Sequence, residues 1–139
     1  MQPHKKKIYS LLGVGGGIVL SAYILVWTIN PQSWTAWEIS NVLHIVGGVY
    51  AFFFTRELVS YARLSHRIEI PFWMEIALYV AGAIVLGVLW EWYELIIDRY
   101  QVLILGQASI MTYADNIGDL MFDTLGGLLG AMYWHRKRK

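Results

Sequence analysis

Asp115-Asn116-Ile117-Gly118-Asp119-Leu120-Met121-Phe122-Asp123-Thr124-Leu125-Gly126-Gly127-Leu128-Leu129-Gly130-Ala131-Met132-Tyr133-Trp134 is the stretch that decides how this chain folds. Three aspartates stand four residues apart and run directly into an apolar, glycine-rich segment. Four-residue spacing places all three carboxylates on one helix face. The segment is long enough to finish a membrane span, which leaves Asp123 well inside hydrocarbon. An ionised carboxylate there costs at least about 2.5 kcal/mol unless it has a partner. The remaining sequence must supply that partner.

Composition agrees with a membrane as solvent. Of 139 residues, 57% are hydrophobic and 15% charged, and the mean hydropathy is +0.46. A soluble domain of this size needs a more polar surface. Cysteine is absent, which excludes a disulfide framework and a thiolate metal site. Four apolar segments stand out, from about Ile8 to Ile29, Trp37 to Ser60, Phe72 to Ile97 and Asn116 to Trp134. Each has the roughly 20 residues that a crossing requires. Asn30-Pro31 stops the first, because proline cannot continue a helix and restricts the residue before it. Pro71 opens the third, where a missing N–H does no harm. The expectation is an all-α, polytopic integral membrane protein, one domain over residues 1–139.

The basic residues orient it. Lys5, Lys6, Lys7, Arg56, Arg63, Arg67, Arg136, Lys137, Arg138 and Lys139 fall on one side of a four-span arrangement, and only Arg99 on the other. Positive charge collects on the cytoplasmic side, so both termini are expected there, in the inner (cytoplasmic) membrane. Trp27, Trp34, Trp37, Trp90 and Trp92 then gather at the outer interface, Trp73 and Trp134 at the inner one, as aromatic belts do. The N-terminus has the basic start of a signal peptide, but its apolar run is longer and no small-residue cleavage site follows. It reads as an uncleaved first helix. Asp98–Tyr113 reads as an irregular outer stretch whose apolar middle lies in the interface or dips in as a lid.

Topology places the polar residues. The second helix carries Asn41, His44, Gly48 and Thr55 on one face, the third Glu91, Glu94 and Asp98, the fourth Asp115, Asp119 and Asp123. Counted from the outer helix ends, His44, Glu91 and Asp123 share a level roughly 9–12 Å down. Asn41, Glu94 and Asp119 form a layer above them. Three helices thus deliver polar groups to one place in the outer leaflet. Carboxylates with one imidazole suit a divalent cation: Mg²⁺, Mn²⁺, Fe²⁺ or Zn²⁺. The expected ligands are His44, Glu91, Glu94, Asp119 and Asp123, with His44, Glu91 and Asp123 as the catalytic candidates. Di-iron bundles use Glu-x-x-His on paired helices, and this chain has one core histidine, so that pattern fails.

Blander readings stand beside these. His44 also suits a core histidine bonded to a carboxylate. Glu94 and Asp98 also suit the solvated headgroup region. Asp115 reads as the cap of the last helix, and Asp119 suits the positive helix start. Glu57 and Glu75 are expected to pair with Arg56, Arg63 or Arg67, while His4, His66 and His135 are expected to face water. Gly13, Gly16, Gly17, Gly47, Gly48 and Gly126-x-x-x-Gly130 read as close-packing positions, the last pair also as a self-association face. No strand precedes these glycines and no Lys-Ser/Thr pair follows, so they are not a phosphate loop. The basic tail from His135 to Lys139 suits anionic membrane lipids rather than nucleic acid.

His44-x-x-Gly47, Phe54-Thr55-Arg56-Glu57-Leu58, Glu91-Trp92-Tyr93-Glu94 and the run from Gly118-Asp119 through Asp123 to Ala131 resemble small prokaryotic membrane proteins of the YjdF-like group. More loosely they are similar to the VanZ-like group, which implies a link to the cell envelope and glycopeptide resistance. The VanZ-like pattern has one acid on its third helix where this chain has two. The likeness covers the second to fourth helices and implies no assigned reaction. Three functions remain open: a metal-dependent enzyme acting on a lipid or polyprenyl headgroup, a cation or proton pathway, and a scaffold with a buried polar network.

Overall fold

A computed structural model describes residues 3–28, 34–109 and 111–138, except the side chains of residues 3, 26, 27 and 138. The Asn30-Pro31 stop, the Trp27 side chain, the Arg138 side chain and Lys139 lie outside the described residues. Four α-helices follow one another: α1 Pro3–Thr28, α2 Trp34–His66, α3 Phe72–Leu105 and α4 Tyr113–Arg138. α2 is the hub, packed against α1, α3 and α4, and α3 also packs on α4. Side-chain pairs fix the directions. Lys7 near the start of α1 meets Glu57 late in α2, and Arg63 late in α2 meets Glu75 at the start of α3. Arg56 of α2 lies over Trp134 late in α4. α2 and α4 therefore run one way, α1 and α3 the other.

Polarity is inverted relative to a soluble protein. Among the described residues the buried apolar set is Ala51, Phe52, Tyr79, Ala83 and Ala131, whereas eight polar or charged residues are buried. Large apolar side chains point outward, Ile96 and Met121 among them at 67% and 68% exposed. Water would not tolerate so continuous an apolar exterior, and a bilayer solvates it. α1, α2 and α3 are long and apolar enough to cross. α4 falls short of that measure, because Asp119, Asp123 and the glycines between Gly118 and Gly130 dilute its apolar run.

Several element ends differ from expectation. α3 does not stop near Ile97. Nothing breaks the helix at Asp98-Arg99-Tyr100, so it continues to Leu105 and about 50 Å in all. Gly106 ends it with φ 65°, a left-handed cap that glycine adopts without strain. Its N–H and that of Gln107 both donate to the Gln101 carbonyl. Most of the expected irregular stretch is thus helix. At the start of α4, Thr112 rather than Asp115 is the cap: its hydroxyl accepts from the Asp115 N–H at 3.1 Å. Thr112-x-x-Asp115 is the capping-box spacing, a signal already present in the sequence.

Glycines set the closest approach. A Cβ on Gly126 would run into the Ile45 carbonyl, and one on Gly48 into the Asp123 carbonyl. Gly130 meets the Phe52 ring. The Gly126-x-x-x-Gly130 pair is therefore occupied by α2 of the same chain. On α1, Gly13, Gly16 and Gly17 meet nothing within 4 Å, and Gly15 instead makes room for Tyr50, whose hydroxyl donates to the Leu11 carbonyl at 2.9 Å.

Candidate metal centre

The α2–α4 approach through Gly48 and Gly126 is what brings the acids of α4 up to the histidine of α2. His44 is 5% exposed and central. Its Nε2 lies 3.5 Å from Asp119 Oδ1, its Nδ1 3.3 Å from Asp123 Oδ2 and 3.9 Å from Glu91 Oε1. One ligand atom each from His44, Glu91, Glu94 and Asp119 lies within 4.8 Å of the other three. Two ligands on opposite sides of a cation with bonds of about 2.1 Å stand about 4.2 Å apart. Contraction of a few tenths of an ångström would close the group around an ion.

Asp123 is not in that foursome. It lies one turn deeper on α4, against the other ring nitrogen. A Cβ on Gly87 would strike its Oδ2, and Gly47 stands 3.8 Å from its Oδ1 by the same measure. Gly87 thus leaves the space that the Asp123 carboxylate fills. Sequence reasoning passed over Gly87, although Gly87-x-x-x-Glu91 repeats the four-residue spacing that marks a shared face.

Glu91 is the least satisfied group. Both its carboxylate oxygens are buried with no hydrogen-bond partner. No lysine or arginine pairs with Glu91, Glu94, Asp119 or Asp123 among the described residues. Burying an ionised carboxylate without compensation costs several kcal/mol, and four acids around one imidazole are a group that could hold a metal ion.

The other candidates divide. Asn41 is buried. Glu94 belongs to the four-ligand group and is half-buried. Asp98 does not face water as expected: it is 4% exposed and accepts from the Ser109 hydroxyl at 2.8 Å. Asp115 is at the helix start, outside the group. Glu57 pairs with Lys7 at 2.8 Å and Arg56 at 2.7 Å, and Glu75 with Arg63. His4 is not free in solvent, since its Nδ1 lies 3.5 Å from Glu57. His66 and His135 are exposed, His135 beside the Phe72 ring.

Between the acidic cluster and the basic end lies an apolar plug. Phe52, Tyr79 and Ala131 pack together there, Phe52 edge-on to Tyr79 at 5.5 Å. Comparison with known proteins adds the family. No curated protein and no solved structure matches the chain. A family model does match, over residues 8–139, and the protein belongs to the DUF2238 family of predicted membrane proteins.

Proposed function

We propose that the protein is a multi-pass protein of the cytoplasmic membrane that binds one divalent cation in the outer half of the bilayer, through His44, Glu91, Glu94 and Asp119. All four helices span in this reading, with both termini in the cytoplasm. The distribution of lysine and arginine supports that orientation. The observation that carries the proposal is Glu91: a buried carboxylate with two unbonded oxygens, aimed into a group of three further donors. An imidazole in a carboxylate set favours Zn²⁺, Fe²⁺ or Mn²⁺ over Mg²⁺. Asp123 takes the supporting role. Accepting from Nδ1–H, it would hold the ring with Nε2 toward the metal, as carboxylate–histidine–metal chains do.

A cation at this depth can polarise a phosphoryl or carbonyl oxygen. The class of substrate that reaches the site from the outer leaflet is a lipid or polyprenyl headgroup. Likeness to the VanZ-like group supports work at the cell envelope. A through pathway for ions is less well supported, because the Phe52 plug closes the bundle below the site.

Chelator-stripped protein in detergent, titrated with Zn²⁺, Mn²⁺, Fe²⁺ and Mg²⁺, tests the metal. Saturable binding of one ion is expected, at least about 100-fold weaker in Glu91→Gln, with both proteins folded by circular dichroism. Absence of saturable binding for every ion removes the proposal. Lipid mass spectrometry of membranes with and without the protein tests the substrate class, and an unchanged lipid profile removes that part.

A further inference from the structure

The opposite end of the bundle holds a feature that the metal does not explain. α1 and α4 flank α2, with no close backbone approach to one another among the described residues. Between them, with α2 as the floor, is a cavity of about 400 Å³. Each of the three helices contributes a cation to it: Lys7, Arg56 and Lys137. One carboxylate, Glu57, opposes them. Glu57 is buried at the floor and binds Lys7 and Arg56, which leaves the lining cationic.

These cations are held, and they keep donors to spare. The Arg56 guanidinium stacks on Trp134, 3.7 Å from the ring centre. Lys137 lies over Tyr133 at 5.5 Å. A guanidinium has five N–H donors and an ammonium three. Among the described residues Arg56 uses one in a hydrogen bond, Lys7 one and Lys137 none. Positioned cations with unused donors match a phosphodiester. Leu11 and Phe53 complete the lining with an apolar surface, which suits acyl methylenes and does nothing for a free ion. Tyr133 and Trp134 are the residue types that sit at headgroup depth.

We propose that this groove binds one anionic phospholipid, its phosphodiester between Lys7, Arg56 and Lys137 and its acyl chain along Leu11 and Phe53. The site is separate from the acidic cluster. Glu57 comes thirteen residues after His44 on α2, about 20 Å along the axis.

Delipidated protein in neutral detergent is melted while phosphatidylglycerol, phosphatidylcholine or inorganic phosphate is titrated in. Phosphatidylglycerol should raise Tm saturably, and the other two should leave it unchanged. Lys137→Gln should weaken the phosphatidylglycerol response about fivefold and keep the lipid-free Tm, since Lys137 makes no ion pair among the described residues. Arg56→Gln should weaken it further. If that variant fails to fold through loss of the Glu57 pair, Lys137→Gln decides alone. Equal responses to the two lipids, or wild-type affinity in Lys137→Gln, overturn the proposal. A phosphate response equal to that of phosphatidylglycerol assigns the groove to a free anion and overturns it too.

Discussion

α2 meets buried carboxylates near both its ends, and the two sets are satisfied in opposite ways. Toward its C-terminus Glu57 is bonded by Lys7 and Arg56, and Glu75 by Arg63. Toward its N-terminus Glu91, Glu94, Asp119 and Asp123 share one imidazole and, among the described residues, no lysine or arginine. The same residue type at similar burial thus does two jobs. At the basic end each of these carboxylates is paired within the chain, and the pairs tie α1, α2 and α3 together. At the acidic end the carboxylates share a single imidazole, and in the proposed reading a divalent cation completes them. Buried ion pairs hold structure because breaking one strands a charge. An acidic cluster left with a deficit of positive charge is, in the proposed reading, a ligand set.

Mutations at the two ends should therefore differ in sign as well as size. The largest loss is expected for Arg63→Ala, which removes the guanidinium paired with Glu75 at 3% exposure and should cost about 2 kcal/mol in detergent unfolding, whether or not metal is present. Next is Gly87→Ala. A methyl group there displaces the Asp123 carboxylate and should weaken metal binding at least about tenfold, read by competition with a chelating dye, with helix content unchanged. Glu91→Gln should go the other way in metal-free protein. It removes a like charge from an uncompensated group and should stabilise the fold by about 1 kcal/mol, while abolishing the stabilisation that added metal confers. If Glu91→Gln destabilised the metal-free protein as Arg63→Ala does, the two ends would be alike and the cluster purely structural. The smallest effect is expected for Lys7→Ala, about 0.5 kcal/mol, because Lys7 is 56% exposed and Glu57 keeps Arg56.

Much of this was legible because helix period fixes faces. Glu91-Trp92-Tyr93-Glu94 and the four-residue ladder of α4 each name a face without any tertiary knowledge. Counting rise per residue from the outer helix ends sets His44, Glu91 and Asp123 close in depth, and the distances around the His44 ring agree. What period cannot supply is azimuth between helices. Whether Asp119 or Asp123 stands with Glu94 depends on how α4 rotates against α2, and that is fixed by Gly48 against Gly126, a backbone contact. Gly87 stayed hidden for the same reason, since its role is the room it leaves for a side chain from another helix. The end of α3 was misplaced because Asp98-Arg99-Tyr100 looks like a membrane boundary. Polarity marks where a helix leaves lipid, and only Gly106 marks where it stops. The basic neighbours of His4 point to a solvated side chain, whereas α1 packs back along α2 and carries it to Glu57.

Elemental analysis of detergent-purified protein is the most direct test of the cation deficit at the acidic end. Wild type and a Glu91→Gln/Asp119→Asn variant are compared after equilibration with trace metals and desalting. Near one divalent ion per wild-type chain is expected, with none in a variant that remains folded and monodisperse. A wild-type protein that carries no ion, or a folded variant that keeps it, would contradict the assignment of the cluster as a metal centre.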